Sequence, residues 1–303
     1  MKCSFCSNKA IYKRGDIYYC REHFIKYFEE KALNTIKKYK LIKKGEKIGV
    51  AVSGGKDSLS LLYFLNKYKE DLGIDVIGIH IDEGISNYRD ITTEFLLNVA
   101  KKYNFNIKIY RFSEIFGDRL ENFLKRKNIK PCTLCGTWRR WIMWKAAKEL
   151  NLDKIATAHN LNDEVQTIIM NMLEGNIKDF VKSGPYVGIV ESDFVPRIKP
   201  FYFNTEKENL IYAVLHGLDP PFAECPFIVG QIRDRVRSIL YKLESEFPFH
   251  EKFLENVLEI IFRAKEYYKE HFIINLKPCK ICGYPTTREI CRACELKLEI
   301  SNQ

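Results

Sequence analysis

The chain has 303 residues, of which 46% are hydrophobic and 29% are charged, a composition typical of a globular protein with a sizeable core. No apolar run reaches the ~18–20 residues of a membrane-spanning helix, and the first residues, MKCSFCSNKA, lack the apolar segment of a signal peptide, so a cytoplasmic location is expected. The formal net charge of +10 is compatible with a polyanionic partner such as nucleic acid, but equally with a solvated basic surface.

Strand and helix patterns alternate through most of the chain, which predicts an α/β fold with a doubly wound parallel sheet. The runs typical of buried parallel strands are residues 47–52, 75–81, 106–112 and 153–158. The first helical patterns are residues 57–69, 89–103 and 137–151. Thr205 and Glu208 form a capping-box pattern for a helix that ends near Gly217. Further helical patterns at 230–246 and 250–272 predict a separate helical lobe.

A cysteine-dense module lies at each end of the chain. The first has the spacing Cys-x2-Cys-x13-Cys-x2-His, and the second has Cys-x2-Cys-x8-Cys-x2-Cys. Paired knuckles of soft ligands suit tetrahedral Zn²⁺, so two zinc ions are expected, as staples for segments too small to form a core; RNA contact by the modules is the alternative. The expected ligands are Cys3, Cys6, Cys20 and His23 in the first module and Cys279, Cys282, Cys291 and Cys294 in the second.

The hexapeptide SGGKDS, residues 53–58, follows the first predicted strand and leads into a predicted helix. Gly54 and Gly55 permit positive φ and a close backbone approach to a phosphate, while the amides at the helix N-terminus favour an anion. Lys56 adds a positive charge, and the two serines add hydroxyl donors. The Walker pattern GxxxxGK[ST] is absent, so this is not an ordinary P-loop. A plain Gly-Gly turn is the alternative interpretation.

Ten cysteines minus seven zinc ligands leaves Cys132, Cys135 and Cys225. Three interpretations are open. The three thiolates hold an iron–sulfur cluster with one iron open, or two of them cycle through a persulfide and a disulfide, or all three are buried hydrophobic residues. The third is disfavoured because Cys132-x2-Cys135 is followed by Gly136 and Arg139.

SGGKDS between a strand and a helix resembles the loop of the PP-loop ATP pyrophosphatases, which have the adenine nucleotide alpha hydrolase-like fold. The resemblance implies ATP, cleavage between its α and β phosphates, and Mg²⁺ to offset the phosphate charge. It also places adenine at the end of the second strand, although a buried structural role is the alternative for His80. The implied ATP-binding residues are Ser53, Gly54, Gly55, Lys56, Asp57, Ser58, His80, Ile81, Gly136 and Asp163.

With the three remaining cysteines and two zinc modules, the chain resembles the two-zinc-finger tRNA 2-thiolation enzymes over nearly its whole length. These comprise wobble-uridine thiolases (the cytoplasmic tRNA 2-thiolation protein 1 or NcsA type) and TtuA enzymes, which thiolate ribothymidine in the T-loop. The resemblance implies a 4Fe-4S cluster on Cys132, Cys135 and Cys225, whose fourth iron carries sulfide. The stretch HIDEGISNYRD (residues 80–90) and Arg139, where TtuA-type sequences usually have lysine, favour the wobble type.

AHNLNDEVQT, residues 158–167, resembles the family's GHNLDDEAQT and places Asp163 at the family's acidic position. The implied role of Asp163 is ATP contact or proton transfer near the uridine, and a helix cap is the alternative. The implied catalytic residues are Asp163, Cys132, Cys135, Cys225 and Arg139. Because a guanidinium does not readily release a proton, Arg139 is expected to stabilise charge on phosphate or RNA.

We therefore expect an ATP-dependent tRNA 2-thiouridine synthetase that adenylates C2 of the wobble uridine and replaces its oxygen with sulfur. T-loop thiolation, a persulfide mechanism, a PP-loop ligase and a non-catalytic RNA-binding protein are the rivals. Expected partners are tRNA, a sulfur donor (sulfide or a ubiquitin-like thiocarboxylate protein) and a second copy in a homodimer. Arg233, Arg235 and Arg237 of QIRDRVR are expected to contact tRNA phosphates, and a solvated helix face is the alternative. The expected units are an N-terminal zinc finger (1–30), a PP-loop catalytic domain (31–217), a helical lobe with Cys225 (218–272) and a C-terminal zinc finger (273–303).

Overall fold

The structure, a computed structural model, describes residues 1–126, 129–176, 179, 183–187, 195–221, 223–227, 232–246, 255–256, 258–262 and 276–301. The described strands are β1 (Tyr12–Arg14), β2 (Ile17–Tyr19), β3 (Lys47–Ala51), β4 (Asp75–Asp82), β5 (Ile107–Arg111), β6 (Lys154–Ala156), β7 (Tyr186–Val187), β8 (Arg197–Ile198), β9 (Lys277–Pro278) and β10 (Pro285–Thr286). Six of them form the central sheet, in the order β5-β4-β3-β6-β8-β7. Its neighbouring strands are parallel except for the antiparallel edge pair β7–β8.

Helices cover both faces of this sheet. The described helices are α1 (Arg21–Lys38), α2 (Lys56–Lys67), α3 (Lys69–Leu72), α4 (Arg89–Tyr103), α5 (Phe112–Phe116), α6 (Leu120–Arg126), α7 (Pro131–Glu149), α8 (Leu161–Leu173), α9 (Glu206–His216), α10 (Ile232–Glu246) and α11 (Arg292–Ser301). One apolar core joins α1, α2, α4 and α9 to the sheet, and a second joins α5, α6, α7 and α11 to the other face. The predicted α/β fold with a parallel sheet is confirmed.

Strand β3 shows how the sequence produces these two cores. Ile48, Val50 and Val52 are buried in the first core, and Ala51 packs against the second. Side chains along a strand alternate between its two faces, so a nearly continuous apolar run buries both. All four predicted strands are confirmed with small shifts at their ends, and the helix predicted at 89–103 is confirmed as α4.

Two helices differ from prediction. The helix predicted at 137–151 begins at Pro131, because proline suits a first turn, where its missing N–H has no partner to lose. Its start was therefore predicted wrongly, and Cys132 and Cys135 lie within the first two turns of the helix. Helix α1 was not predicted. It runs through the expected boundary at residue 30, and the division of the chain into units stays a prediction.

The capping box predicted for α9 is confirmed in both directions. Thr205 Oγ1 accepts a hydrogen bond from the Glu208 amide at 3.2 Å, and Glu208 accepts one from the Thr205 amide at 2.8 Å. The predicted helix at 230–246 corresponds to α10. Of the helix predicted at 250–272, residues 255–256 and 258–262 are helical, and the rest lies outside the described residues. Within the described part of the chain, no helix has the length and apolar character needed to cross a membrane.

Candidate active site and metal centres

The SGGKDS loop joins β3 to α2 at the carboxyl edge of the sheet, where ligands bind in such folds. Gly54 has a φ of +85°, and a Cβ there would lie 2.5 Å from the carbonyl oxygen of Thr92, so only glycine fits without movement. Gly55 is the N-cap of α2 and offers no side chain to its first amides. The Ser53 amide donates to Ser58 Oγ at 3.1 Å, which closes the loop. The geometry suits an anion at the helix N-terminus.

Lys56 and Asp57 are held at the start of α2 by groups from other elements. Lys56 Nζ lies 2.8 Å from Asp57 Oδ2 and 3.4 Å from Glu206 Oε1. Burial alone would lower the pKa of Lys56, but these two carboxylates outweigh it and raise the pKa. Asp57 Oδ1 accepts hydrogen bonds from the side-chain amides of Asn160 at 3.3 Å and Asn209 at 2.7 Å. Both charged groups are therefore fixed beside the loop, where a nucleotide's phosphates and its metal would bind.

His80 is a buried structural residue. It is 0% exposed, and its Nδ1 donates to the Val52 carbonyl at 2.8 Å, while Nε2 accepts from Thr93 Oγ1 at 2.8 Å. Burial lowers the pKa of His80, which agrees with this neutral ring. The side chain is thus committed to β3 and α4, and only the backbone at His80–Ile81 is left for the predicted adenine contact.

Asp163 is both a helix cap and a perturbed acid. Asn160, the N-cap of α8, accepts from the Asp163 amide at 3.0 Å, and the Asp163 carboxylate accepts from the Asn160 amide at 3.2 Å. Burial raises the pKa of Asp163 to about 6, and the negative charges of Asp57 and Glu206 add to the shift. A carboxyl group with such a pKa exchanges its proton near neutral pH, which a group that only caps a helix does not need.

The three cysteines left over from the zinc modules lie close together. Cys132 Sγ donates to the carbonyl of Phe227 at 3.8 Å, two residues after Cys225. Cys135 and Cys225 pack against the same apolar core, and each of these two thiols is influenced by the charge of another member of the trio. Burial raises the pKa of Cys135 to about 12, so its thiolate needs a metal ion's positive charge.

The trio also differs from a zinc site in its spacing. Among the described residues, the only sets of three or more His, Cys, Asp or Glu ligand atoms within 4.8 Å of one another are those of the two terminal modules. Thiolates that bind separate irons of one cluster stand farther apart than thiolates that share one tetrahedral ion. Cys135 and Cys225 pack against the apolar core and Cys132 is exposed, and iron–sulfur ligation by the three thiols stays a prediction. A Cβ at Gly136 would meet only the Arg140 guanidinium, at 3.4 Å, and the predicted ATP contact of Gly136 stays a prediction.

Glu83 lies in the stretch HIDEGISNYRD that favours the wobble type, but the sequence did not predict it as a site residue. It follows β4, is 0% exposed and forms ion pairs with Arg89 and Arg139. Cys135 Sγ donates to its Oε1 at 3.9 Å. Burial alone would raise the pKa of Glu83, but the two arginines outweigh it and lower the pKa, so the carboxylate is charged. The available signal was an acidic residue directly after a buried strand, at the edge where the phosphate loop also lies.

The N-terminal module assembles its four expected ligands. Cys20 Sγ lies 3.2 Å from His23 Nδ1 and 3.7 Å from Cys6 Sγ, and Cys3 completes the set. A hydrogen bond from the His23 backbone lowers the pKa of Cys20 to about 6, which favours the metal-binding thiolate. The donor set fits Zn²⁺.

The C-terminal module does the same and also packs on α7. Cys279, Cys282, Cys291 and Cys294 form the second set of ligands within 4.8 Å. Trp141 Nε1 donates to Cys282 Sγ at 3.3 Å, and Trp138 Nε1 donates to the carbonyl of Ala293 at 3.3 Å. Because α7 carries Cys132 and Cys135, this module supports the helix on which the cysteine site is built.

Basic residues surround His159, which follows β6. Partial desolvation lowers the pKa of His159, and the positive charges of Lys199, Arg233, Arg197 and Arg139 add to the shift. The residue is exposed, and its Nδ1 lies 3.0 Å from Thr157 Oγ1. A neutral imidazole within four cations suits a cleft that receives phosphate groups.

Two of the arginines of α10 reach the site. Arg233 Nη2 donates to Thr167 Oγ1 at 3.2 Å on α8, and Arg237 Nη2 lies 2.8 Å from Glu206, the partner of Lys56. Arg235 is exposed. Helix α10 therefore brings positive charge to the cleft, and the predicted phosphate contacts stay a prediction.

Comparisons with known proteins agree with this geometry. Residues 25–219 match the family model described as a PP-loop domain. The chain is 37% identical to the tRNA-5-methyluridine(54) 2-sulfurtransferase of Pyrococcus horikoshii, over 99% of this chain and 96% of the relative. It is 34% identical to the cytoplasmic tRNA 2-thiolation protein 1 of Drosophila ananassae, over 97% of this chain and 86% of the relative.

A solved structure extends the likeness to the whole fold. The U34-tRNA thiolase NcsA from Methanococcus maripaludis, determined with its [4Fe-4S] cluster, superimposes with a TM-score of 0.82 at 31% identity, covering 99% of this chain and 96% of that one. The chain therefore belongs to the PP-loop family, in the group of tRNA 2-thiolation enzymes that these relatives represent.

Proposed function

We propose that the chain is an ATP-dependent tRNA 2-sulfurtransferase that acts on the wobble uridine. The observation that carries this proposal is the contact of Cys135 with Glu83, which is ion-paired to Arg89. Arg89 in turn donates to the carbonyl of Ser53 in the phosphate loop at 2.7 Å. Nucleotide and sulfur chemistry would thus share one edge of the sheet. The named activities of the relatives support the same reaction class.

In the proposed reaction the uridine C2 oxygen attacks the α-phosphorus of ATP, and the bond to pyrophosphate breaks. The base must leave its stack to reach this pocket. Asp163 would accept the N3 proton that the base loses, and Lys56 would hold the phosphates. Sulfur then attacks C2, the C–O bond breaks, and AMP leaves. A cluster bound to the three cysteines would supply an open iron site for the sulfur.

Other components of the proposal follow from the donor groups present. Asp57, fixed by two amides, would contact Mg²⁺ or its water, and Arg139 would stabilise charge on phosphate or RNA. The zinc modules would hold one Zn²⁺ each as structural ions. Sulfide or a ubiquitin-like thiocarboxylate protein would serve as sulfur donor, and a homodimer is proposed as the working form.

A second candidate is thiolation of 5-methyluridine in the T-loop, which the 37% identity to the P. horikoshii enzyme favours. The Asp82–Glu83 pair and Arg139 favour the wobble position, because TtuA-type sequences tend to have other residues there. The two candidates predict different responses when one uridine of the tRNA is replaced.

The test follows the release of AMP and pyrophosphate from ATP with three matched tRNAs. One has uridine at the wobble position and 5-methyluridine in the T-loop, one has cytidine in place of the wobble uridine, and one has cytidine in place of the 5-methyluridine. We expect tRNA to stimulate release, and only the wobble replacement to abolish the stimulation. Loss with only the T-loop replacement would select the second candidate. AMP release that is the same with and without each of the three tRNAs would contradict both.

Cys225→Ser separates thiolation from PP-loop ligases, which need no third cysteine. After anaerobic reconstitution, we expect the unchanged chain to contain iron and labile sulfide and the variant to lose both, while both proteins keep two zinc ions. Wild-type protein that thiolates tRNA without iron would favour a persulfide over a cluster. A variant that retains full activity would remove the cysteine trio from the mechanism.

A further inference from the structure

Glu83 is a fully buried carboxylate that the reaction proposed above does not use. It lies at the carboxyl end of β4, next to β3, the strand that leads into the phosphate loop. Burying a charged carboxylate costs free energy unless the group is ion-paired and hydrogen-bonded. The groups that pair with Glu83 are therefore the ones to consider.

Toward the nucleotide side, Glu83 holds Arg89, which is 3% exposed. The Arg89 guanidinium contacts both carboxylate oxygens, with Nη2 donating to Oε1 at 3.0 Å and Nε paired with Oε2. Its remaining nitrogen, Nη1, donates to the carbonyl oxygen of Ser53 at 2.7 Å. Because the guanidinium is planar and rigid, a shift of the Glu83 carboxylate also shifts the group that holds the first residue of the loop.

Toward the sulfur side, the same carboxylate holds α7. Its Oε1 lies 3.2 Å from Arg139 Nε and 3.9 Å from Cys135 Sγ. The Arg139 side chain is 44% exposed, so the Glu83 ion pair fixes one end of a residue whose other atoms reach the solvent. One carboxylate thus contacts an arginine bound to the phosphate loop and an arginine on the helix that carries two of the three cysteines.

We infer that Glu83 is a positioning residue that couples the nucleotide loop to the cysteine-bearing start of α7, through Arg89 on one side and Arg139 on the other. ATP binding and the Glu83–Arg139 ion pair therefore stabilise each other, and the size of this effect is a coupling free energy. The biological meaning of the coupling, timed delivery of sulfur to an adenylated base, rests on the proposed function.

The test is a double-mutant cycle on ATP affinity, measured by isothermal titration calorimetry on the full-length zinc-loaded chain without tRNA. The proteins are the unchanged chain, Glu83→Gln, Arg139→Gln and the double variant. We expect Glu83→Gln to weaken ATP binding by roughly tenfold, and Arg139→Gln to weaken it by roughly threefold, within the range for contacting residues. In the double variant, Arg139→Gln should cause no further loss.

Glu46→Gln is the matched control. Glu46 is 14% exposed and pairs with Lys154 at 2.7 Å, at the opposite edge of the sheet from the phosphate loop. The substitution Glu46→Gln removes a partly buried ion pair of similar type. We expect its ATP affinity to remain within twofold of that of the unchanged chain. Equal weakening by Glu46→Gln would mean that any loss of a buried pair disturbs the loop, which would overturn the coupling.

Two further outcomes would also overturn the inference: ATP binding by Glu83→Gln that equals the unchanged chain, or independent, multiplying effects of the two substitutions. If Glu83→Gln does not fold, as judged by circular dichroism, Arg89→Lys replaces it in the cycle, because lysine keeps the charge but cannot contact Glu83 and Ser53 together. Because ATP affinity is read without tRNA, a failure to thiolate tRNA would refute the proposed function and leave this test intact.

Discussion

The substitution Asp163→Asn tests whether the site holds a perturbed acid. Burial and the charges of Asp57 and Glu206 raise the pKa of Asp163 from 3.8 to about 6. At 1.36 kcal/mol for each pKa unit, the charged carboxylate costs the native state about 3 kcal/mol. The native chain keeps its proton longer than the unfolded chain, so stability is lost as the pH rises from about 4 to about 6 and stays lost above that range.

Asparagine removes the charge and keeps an oxygen that accepts from the Asn160 amide. We therefore expect Asp163→Asn to raise the free energy of unfolding by about 1–3 kcal/mol at pH 8, allowing for partial exposure, and by about half as much at pH 5. Urea denaturation at both pH values measures this. Nucleotide transfer should fall at the same time, because the amide cannot accept a proton, and in the unchanged chain activity should fall as the pH drops through about 6.

Thr205→Ala is the control for the loss of a helix-cap hydrogen bond from a side chain that does not titrate. It removes the hydrogen bond to the Glu208 amide and should cost about 1 kcal/mol at both pH values. A loss of stability in Asp163→Asn at pH 8, or a gain that is the same at pH 5 and pH 8, would refute the reasoning about the carboxylate.

Two further substitutions test the phosphate loop and the second metal centre. Gly54→Ala should weaken ATP binding by at least about tenfold, measured by calorimetry, because Gly54 has a φ of +85° and Thr92 occupies the space that the Cβ would need. The control is Gly175→Ala, at a glycine with a φ of +63° and no atom within 4 Å of the position that its Cβ would take. Equal weakening by both substitutions would contradict this explanation. Trp141→Phe removes the N–H that donates to Cys282 Sγ, so it should lower the zinc affinity of the C-terminal module by about 10–100-fold in a chelator competition. If the variant releases zinc from both modules at the unchanged rate, this hydrogen bond does not support metal binding.

Local patterns predicted the sheet, the phosphate loop and both zinc modules. Apolar runs such as residues 75–81 and 153–158 are visible as strands because both of their faces are buried. The four ligands of each zinc module lie close together in the sequence, so their spacing alone predicts that they form one site. Gly54 and Gly55 were both selected as positions for positive φ. The structure has φ of +85° at Gly54 but −83° at Gly55, where the chain enters α2.

Contacts between segments that are distant in the sequence could not be predicted from local patterns. Asp57 accepts from Asn209 at 2.7 Å across 152 residues of chain, and nothing local to either residue indicates the pair. The same holds for Glu83, whose partners lie on α4 and α7. The burial of His80 likewise depends on Val52 and on α4, so its structural role emerges only when β3 and β4 are side by side.

The start of α7 shows a different limit. CxxC followed by glycine is compatible with a loop or with a helix, and Pro131 is the one local signal for a helix start. Helix α1 likewise has a local signal, the helical spacing of its buried residues Phe24, Phe28, Ala32 and Ile36. The segment was instead assigned to the neighbouring cysteine module, so the helix was not predicted.

The most direct test of the central claim is mass spectrometry of nucleosides from tRNA incubated anaerobically with the reconstituted chain, ATP and sulfide. The account predicts 2-thiouridine at the wobble position, formed only with ATP and lost with Cys225→Ser. Thiolated 5-methyluridine in its place would correct the substrate, and the absence of any thiolated nucleoside from a chain that contains its iron and binds ATP would contradict the claim.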